Sequence, residues 1–114
     1  MNPDLLRRFA QRLTRERTKL YRTVARTDDE LATLEAHQPG ALGVEAATEQ
    51  ATAVLSRLEG RERQELDEID AARARIVAGT YGVCEECRMP IPLVRLRALP
   101  ASRLCLPCQR RHEP

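Results

Sequence analysis

Apolar residues recur along the first third of the chain with a helical period. Leu6, Leu13, Leu20, Thr27 and Leu34 stand seven residues apart, with Phe9, Ala10, Val24 and Leu31 beside them. A seven-residue repeat lays such positions along one stripe of an α-helix, the seam through which coiled coils associate. The start is also marked. Asn2 suits an N-cap, Pro3 the first helical position, and Asp4 puts an acid into the first turn. The pattern predicts a helix over residues 3–37, ended by Pro39-Gly40 and Gly43 in a turn at 38–43. A second apolar series then runs through Val44, Ala47, Ala51, Val54, Leu55, Leu58, Leu66, Ile69, Ala72 and Ile76, and predicts a helix over 44–78. Gly60 weakens its middle and marks a candidate bend.

Each arm holds about 35 residues, or about 52 Å at 1.5 Å per residue. Two arms of equal length joined by a short turn predict an antiparallel hairpin, because each stripe needs a partner and the other arm is the nearest one. The hairpin unit is expected over residues 1–79, and the helical pattern stops at Gly79-Thr80.

The remaining stretch, 80–114, carries all four cysteines of the chain, as Cys84-x-x-Cys87 and Cys105-x-x-Cys108 with seventeen residues between the pairs. A two-residue gap lets both sulfurs of a tight turn reach one ion, and four thiolates at about 2.3 Å close a tetrahedron around zinc with no position left for water. Such a centre stabilises a fold and performs no reaction. A disulfide framework and a thioredoxin-like redox pair are the rival readings; one belongs to small secreted chains and the other to a βαβ context, and neither pattern is present. His112, four residues after Cys108, is a further ligand type beside a set that is already full. The fold class expected is mainly α: a long antiparallel coiled-coil hairpin followed by a four-cysteine zinc module with a short C-terminal helix, holding one structural zinc ion.

Composition adds limits. With one Phe, two Tyr, no Trp and 32% charged residues, the 114-residue chain has little bulk for a large core, and a metal is a common substitute. No apolar run approaches the roughly 18 residues of a membrane span, and no signal-peptide pattern opens the chain, so a cytoplasmic protein without a membrane partner is expected. No phosphate-binding glycine loop, H-E-x-x-H or Ser/His/Asp set is present, which argues against an enzyme and a small-molecule substrate.

The net charge of +2 hides an uneven distribution. Eight basic residues face two acids in 1–26; six acids and no Lys or Arg occupy 27–56; six arginines, Arg88, Arg95, Arg97, Arg103, Arg110 and Arg111, face one acid after residue 87. Folded as a hairpin, this gives an acidic distal half and an arginine-rich base.

Around the cysteines, Tyr81-Gly82 before the first pair, Ile91 four residues after it, then Arg95-Leu96, Ala98, Pro100 and Leu104-Cys105-Leu106-Pro107-Cys108 resemble the TraR/DksA family of zinc-finger proteins. The resemblance implies a bacterial transcription regulator that binds RNA polymerase directly, without sequence-specific DNA binding, its hairpin tip entering the secondary channel and the zinc module docking outside. At the tip the family's best known regulators carry Asp-x-x-Asp-x-Ala, whereas Ala41, Leu42, Gly43, Val44, Glu45 and Ala46 align there, with Glu49 close by. Arg88 stands where the family usually has a glycine, a position that often wants positive φ. The lost tip aspartates keep a second reading open, an adaptor of the same fold that meets another partner, or nucleic acid, through its arginine-rich base.

Overall fold

The computed structural model describes residues 1–36 and 49–113, as six helices: α1 (Pro3–Val24), α2 (Asp28–Ala36), α3 (Glu49–Leu55), α4 (Gly60–Ala78), α5 (Leu93–Ala98) and α6 (Leu106–His112). The start of α1 is as its sequence implies, with the Asn2 side chain accepting the Asp4 N–H at 2.7 Å and Pro3 in the first turn. Helix α1 packs on α4 and α2 on α3. Thr23 meets Glu62 at 3.2 Å while Arg57 meets Glu30 at 2.8 Å, so position falls along one arm as it rises along the other, and the hairpin is antiparallel. His37, the expected turn at 38–43 and residues 44–48 lie outside the described residues.

The expectation of two unbroken helices, 3–37 and 44–78, needs correction. The first arm is interrupted at residues 25–27 and the second at 56–59, at the same level of the hairpin. On the first arm the cause is Thr27, which is exposed and serves as a cap, with its hydroxyl accepting the Glu30 N–H at 3.1 Å. Glu30 in turn reaches back to the Arg26 N–H at 2.8 Å, so Thr27-Asp28-Asp29-Glu30 works as a variant of the capping box. On the second arm α4 begins at Gly60 with φ +54°, a conformation that a residue with a Cβ rarely adopts. Arginines close the exposed helix ends. The Arg57 guanidinium donates to the Val24 carbonyl at 2.7 Å and forks onto both Glu30 oxygens, and Arg63 donates to the Leu55 carbonyl at 3.3 Å. The Arg57 hydrogen bonds, followed by the Arg26 N–H, hold the Glu30 carboxyl down at about 2.

Among the described residues the core of the hairpin runs through Phe9, Leu13, Leu20, Tyr21 and Val24 of α1, Leu34 of α2, Ala51, Val54 and Leu55 of α3, and Leu66, Ile69 and Ala72 of α4. One layer of it is polar. Arg17 is 3% exposed, with its guanidinium carbon 5.3 Å from the Tyr21 ring centroid, a cation–π arrangement. Arg17 Nε and Nη1, the Tyr21 hydroxyl and Asp70 Oδ1 are buried here without a hydrogen-bond partner among the described residues. Burial pushes the Asp70 carboxyl up to about 6, outweighing the opposing attraction of Arg17 and Arg73; Asp67 also raises it and Arg63 lowers it.

A carboxyl raised in this way keeps its proton in the native state where the unfolded chain has released it. This group therefore supports stability below about pH 4, and its support is lost as the pH rises through about 6. Replacing Asp70 with asparagine should remove that slope: denaturant melts of the two proteins between pH 4 and 7 should diverge by about 1–2 kcal/mol, with the parent losing ground as pH rises. Parallel profiles would mean that Asp70 is ionised in the native protein throughout.

Candidate metal centre

Helix α4 ends in a Schellman motif, the Gly79 N–H reaching the Ile76 carbonyl at 3.2 Å and the Thr80 N–H the Arg75 carbonyl at 2.9 Å. The chain then turns back. Val83 and Pro90 form an antiparallel bridge, and the Ile91 N–H donates to the Gly82 carbonyl at 2.8 Å. Gly82, at φ +82°, lies where a Cβ would sit 2.8 Å from the Met1 side-chain methyl, so the start of α1 closes over this turn.

Inside the turn, Cys84 donates its N–H to Met89 at 2.9 Å and its carbonyl accepts the Arg88 N–H at 3.0 Å, a knuckle that carries Cys84 and Cys87. Arg88 has φ +64°. This is the positive φ anticipated at the position where the resemblance expects glycine, and a side chain there costs about 1–2 kcal/mol. The second pair stands on a helix: Cys105 is the N-cap residue of α6 and Cys108 lies in its first turn.

The two pairs converge. All four sulfurs lie within 4.8 Å of one another, with Cys84, Cys105 and Cys108 buried and Cys87 exposed. The Cys87 and Cys105 sulfurs are 3.7 Å apart, far beyond the roughly 2.05 Å of a disulfide. Four thiolates at about 2.3 Å from a tetrahedral zinc ion would stand about 3.8 Å from each other, so the donor set fits this metal in number, type and spacing. Burial alone would raise the Cys84 thiol, but the N–H groups of Cys87, Cys105 and Glu86 turned towards its sulfur bring it down to about 6. Backbone donors of this kind support a metal-bound thiolate. His112, the other ligand type nearby, turns its Nε2 to the Glu86 carboxylate.

The module is tied to the base of the hairpin. Tyr81 is buried with its ring centroid 5.6 Å from that of Phe9, and its hydroxyl donates to the Pro100 carbonyl at 2.7 Å. Arg75 of α4 donates to the Ala101 and Ser102 carbonyls at 3.2 and 3.3 Å and lies 3.6 Å from Glu85. Arg12 of α1 donates to the Arg97 carbonyl. Sequence patterns alone did not single out Arg75 or Arg12 as ties to the module, because the bonds in question go to the Ala101, Ser102 and Arg97 carbonyls, which leave no trace in side-chain spacing.

The six arginines expected to form a docking base differ in their surroundings. Arg95 is turned inward, its Nε donating to the Leu104 carbonyl at 3.0 Å, and Arg103 pairs with Glu85 at 3.3 Å. Arg88, Arg97, Arg110 and Arg111 are exposed. The module also exposes Met89, which follows Arg88 in the sequence, and Leu93 and Val94 of α5. Of the expected tip residues, Ala41, Leu42, Gly43, Val44, Glu45 and Ala46 lie outside the described residues, and Glu49 opens α3 in an exposed position. Asp28 and Asp29 are exposed in the first turn of α2. A feature that residue counts concealed runs along α1: Arg8, Arg12, Arg15, Lys19 and Arg22 follow one another at intervals of four and three, all on one face. Among the described residues no helix is long and apolar enough to cross a membrane.

Residues 79–114 match the model of the prokaryotic dksA/traR C4-type zinc finger. The chain is 34% identical to the RNA polymerase-binding transcription factor DksA of Caulobacter vibrioides over 113 residues, which cover 99% of this chain and 79% of that protein. An uncharacterized protein of Aquifex aeolicus is 34% identical across 95% of this chain and 76% of its own length. The solved structure of transcription factor DksA2 from Pseudomonas aeruginosa superposes with a TM-score of 0.65 at 31% identity, covering 99% of this chain and 86% of that one. The four cysteines are thus the ligands of one structural zinc ion, and the chain, from its helical hairpin to its metal-held C-terminal module, belongs to the DksA/TraR family of zinc-finger proteins.

Proposed function

We propose that the protein is a zinc-stabilised transcription regulator that binds RNA polymerase directly in the cytoplasm, with the distal end of its hairpin entering the secondary channel. The observation that carries this reading is the 34% identity over 99% of the chain to a factor named for binding RNA polymerase, a match that includes the hairpin as well as the zinc module. The division of labour follows from the architecture. The hairpin (1–79) is the probing arm and the zinc module (80–114) holds its base, where Phe9 and Tyr81 join the two. Exposed Asp28, Asp29 and Glu49 on the distal helices suit a channel that ends near a divalent ion, since carboxylates are drawn to such a charge. The exposed Met89, Leu93 and Val94, and the exposed Arg88, suit docking to a protein surface outside it.

The test is a competition. Purified zinc-loaded protein should bind bacterial RNA polymerase core and be displaced by an established secondary-channel factor. Binding without displacement would remove the channel from the reading; no binding at all would remove the polymerase. The tip sequence Ala41-Leu42-Gly43-Val44-Glu45-Ala46, lacking both aspartates, supports the second reading, an adaptor acting through its basic base. Reversing the charges of Glu45 and Glu49 without any effect on a polymerase-dependent activity would favour that adaptor.

A further inference from the structure

Four of the five cations on the outer face of α1 have no side-chain partner among the described residues. At 100° per residue, Arg8, Arg12, Arg15, Lys19 and Arg22 fall within a sector of about 80°, on the side of the helix away from Leu13, Arg17 and Val24, which face α4. Arg12 is engaged, with Glu16 at 3.3 Å and with the Arg97 carbonyl. Arg8, Arg15, Lys19 and Arg22 are exposed and make no hydrogen bond or ion pair among the described residues.

A face that only solvates a helix ordinarily mixes signs, because opposite charges three or four residues apart stabilise it and like charges destabilise it. This face carries one sign over about 21 Å of helix, from Arg8 to Arg22. Glu62 of α4 reaches α1 but accepts from Thr23 at 3.2 Å, and neither it nor the exposed Glu65 and Glu68 pairs with these cations among the described residues. The repulsion is therefore left for a bound partner to neutralise.

The spacing points to the partner. Intervals of three and four residues place one cation about every 5 Å along a straight line. A partner helix with carboxylates at the same intervals presents one anion about every 5 Å along a straight line as well, so the two ladders stay in register. Duplex phosphates wind away from a straight helix, and the exposed acids of α4 and α2 lie on the same small body and would oppose a polyanion. We infer that the outer face of α1 is a docking ladder for an acidic helical surface of the protein partner, in addition to any contacts of the tip and the zinc module. The inference rests on the reading that this partner is RNA polymerase.

The experiment compares the parent chain with the variant R8Q/R15Q/K19Q/R22Q and the charge-conserving variant R8K/R15K/R22K, each titrated against RNA polymerase core at several salt concentrations. Because the four side chains point away from the core, the glutamine variant should keep its zinc and its melting temperature. Its affinity should fall about tenfold or more near 0.1 M salt, and its salt dependence should flatten, while the lysine variant binds like the parent. Equal affinity and equal salt dependence for parent and glutamine variant would overturn the ladder and leave the polymerase reading standing. Failure of the parent itself to bind would overturn both. A 30-base-pair duplex bound by the parent near 0.15 M salt and lost by the glutamine variant, with polymerase binding unchanged, would make the face a phosphate-binding surface and overturn the inference in that way.

Discussion

Serine in place of Cys84 or Cys108 should lower bound zinc from one ion per chain towards none and unfold the C-terminal module. The magnitude follows from what holds this module together. Its helices α5 and α6 have six and seven residues, too short to persist without tertiary support. Its buried side chains are few: Tyr81, Ile91, Leu96, Pro100 and Leu104 besides Cys84, Cys105 and Cys108. A structural zinc ion contributes about 10–16 kcal/mol in small finger peptides, comparable to the whole stability of an ordinary domain. The Cys84 sulfur is faced by the backbone N–H groups of Cys87, Cys105 and Glu86, and Cys108 is buried within α6, so neither serine has a substitute ligand in place. Amide exchange should accelerate across residues 80–113. The α1–α4 pair keeps Leu13, Leu20, Leu66 and Ile69 and loses the Phe9–Tyr81 contact, the Arg75 bonds and the Arg12 bond to Arg97, so the hairpin should retain most of its helical signal and melt at a lower temperature. Full zinc content in either variant would overturn the ligand assignment. Loss of all helical signal would show that the hairpin cannot stand without the metal.

The parts of this molecule that were legible in its sequence are those that obey a fixed spacing. Two C-x-x-C pairs specify a metal shell because sulfurs must meet at one point, and Asn2-Pro3-Asp4 specifies a helix start because each residue satisfies a different need of the first turn. The breaks in both arms were less legible, because a heptad repeat averages over a local event. Leu20, Thr27 and Leu34 keep the register whether or not the helix is continuous, and the capping signature Thr27-Asp28-Asp29-Glu30 that announces the break lies inside the repeat. Arg17 is a similar case. It falls seven residues from Ala10 and from Val24, an inward position, yet a charged residue is ordinarily assigned to the surface. The ladder on α1 was hidden for the opposite reason: counting eight basic residues in 26 measures quantity, and the information is in their period.

Alanine in place of Leu13 should cost about 2–5 kcal/mol and lower the melting temperature by roughly 10–20 °C, the largest effect expected of any single apolar truncation in α1. Leu13 has no exposed surface, whereas Leu20 retains a little, and it stands one turn from Arg17. The cost of a truncation depends on how far its surroundings collapse into the space, and here they are constrained. On one side the Phe9 ring is held against Tyr81. On the other, the guanidinium of Arg17 lies over Tyr21, and moving it into an apolar cavity would separate it from Asp70 and Tyr21 without giving it a hydrogen-bond partner. The cavity should therefore stay largely open, which places Leu13→Ala towards the upper end of the range. Val77→Ala, at a position 58% exposed on the last turn of α4, is the control and should change stability by no more than about 0.5 kcal/mol. Denaturant unfolding of both variants, followed by circular dichroism with zinc bound, decides the matter. If Leu13→Ala unfolds with the parent protein, α1 does not pack through this stripe, and the register of the hairpin must be different.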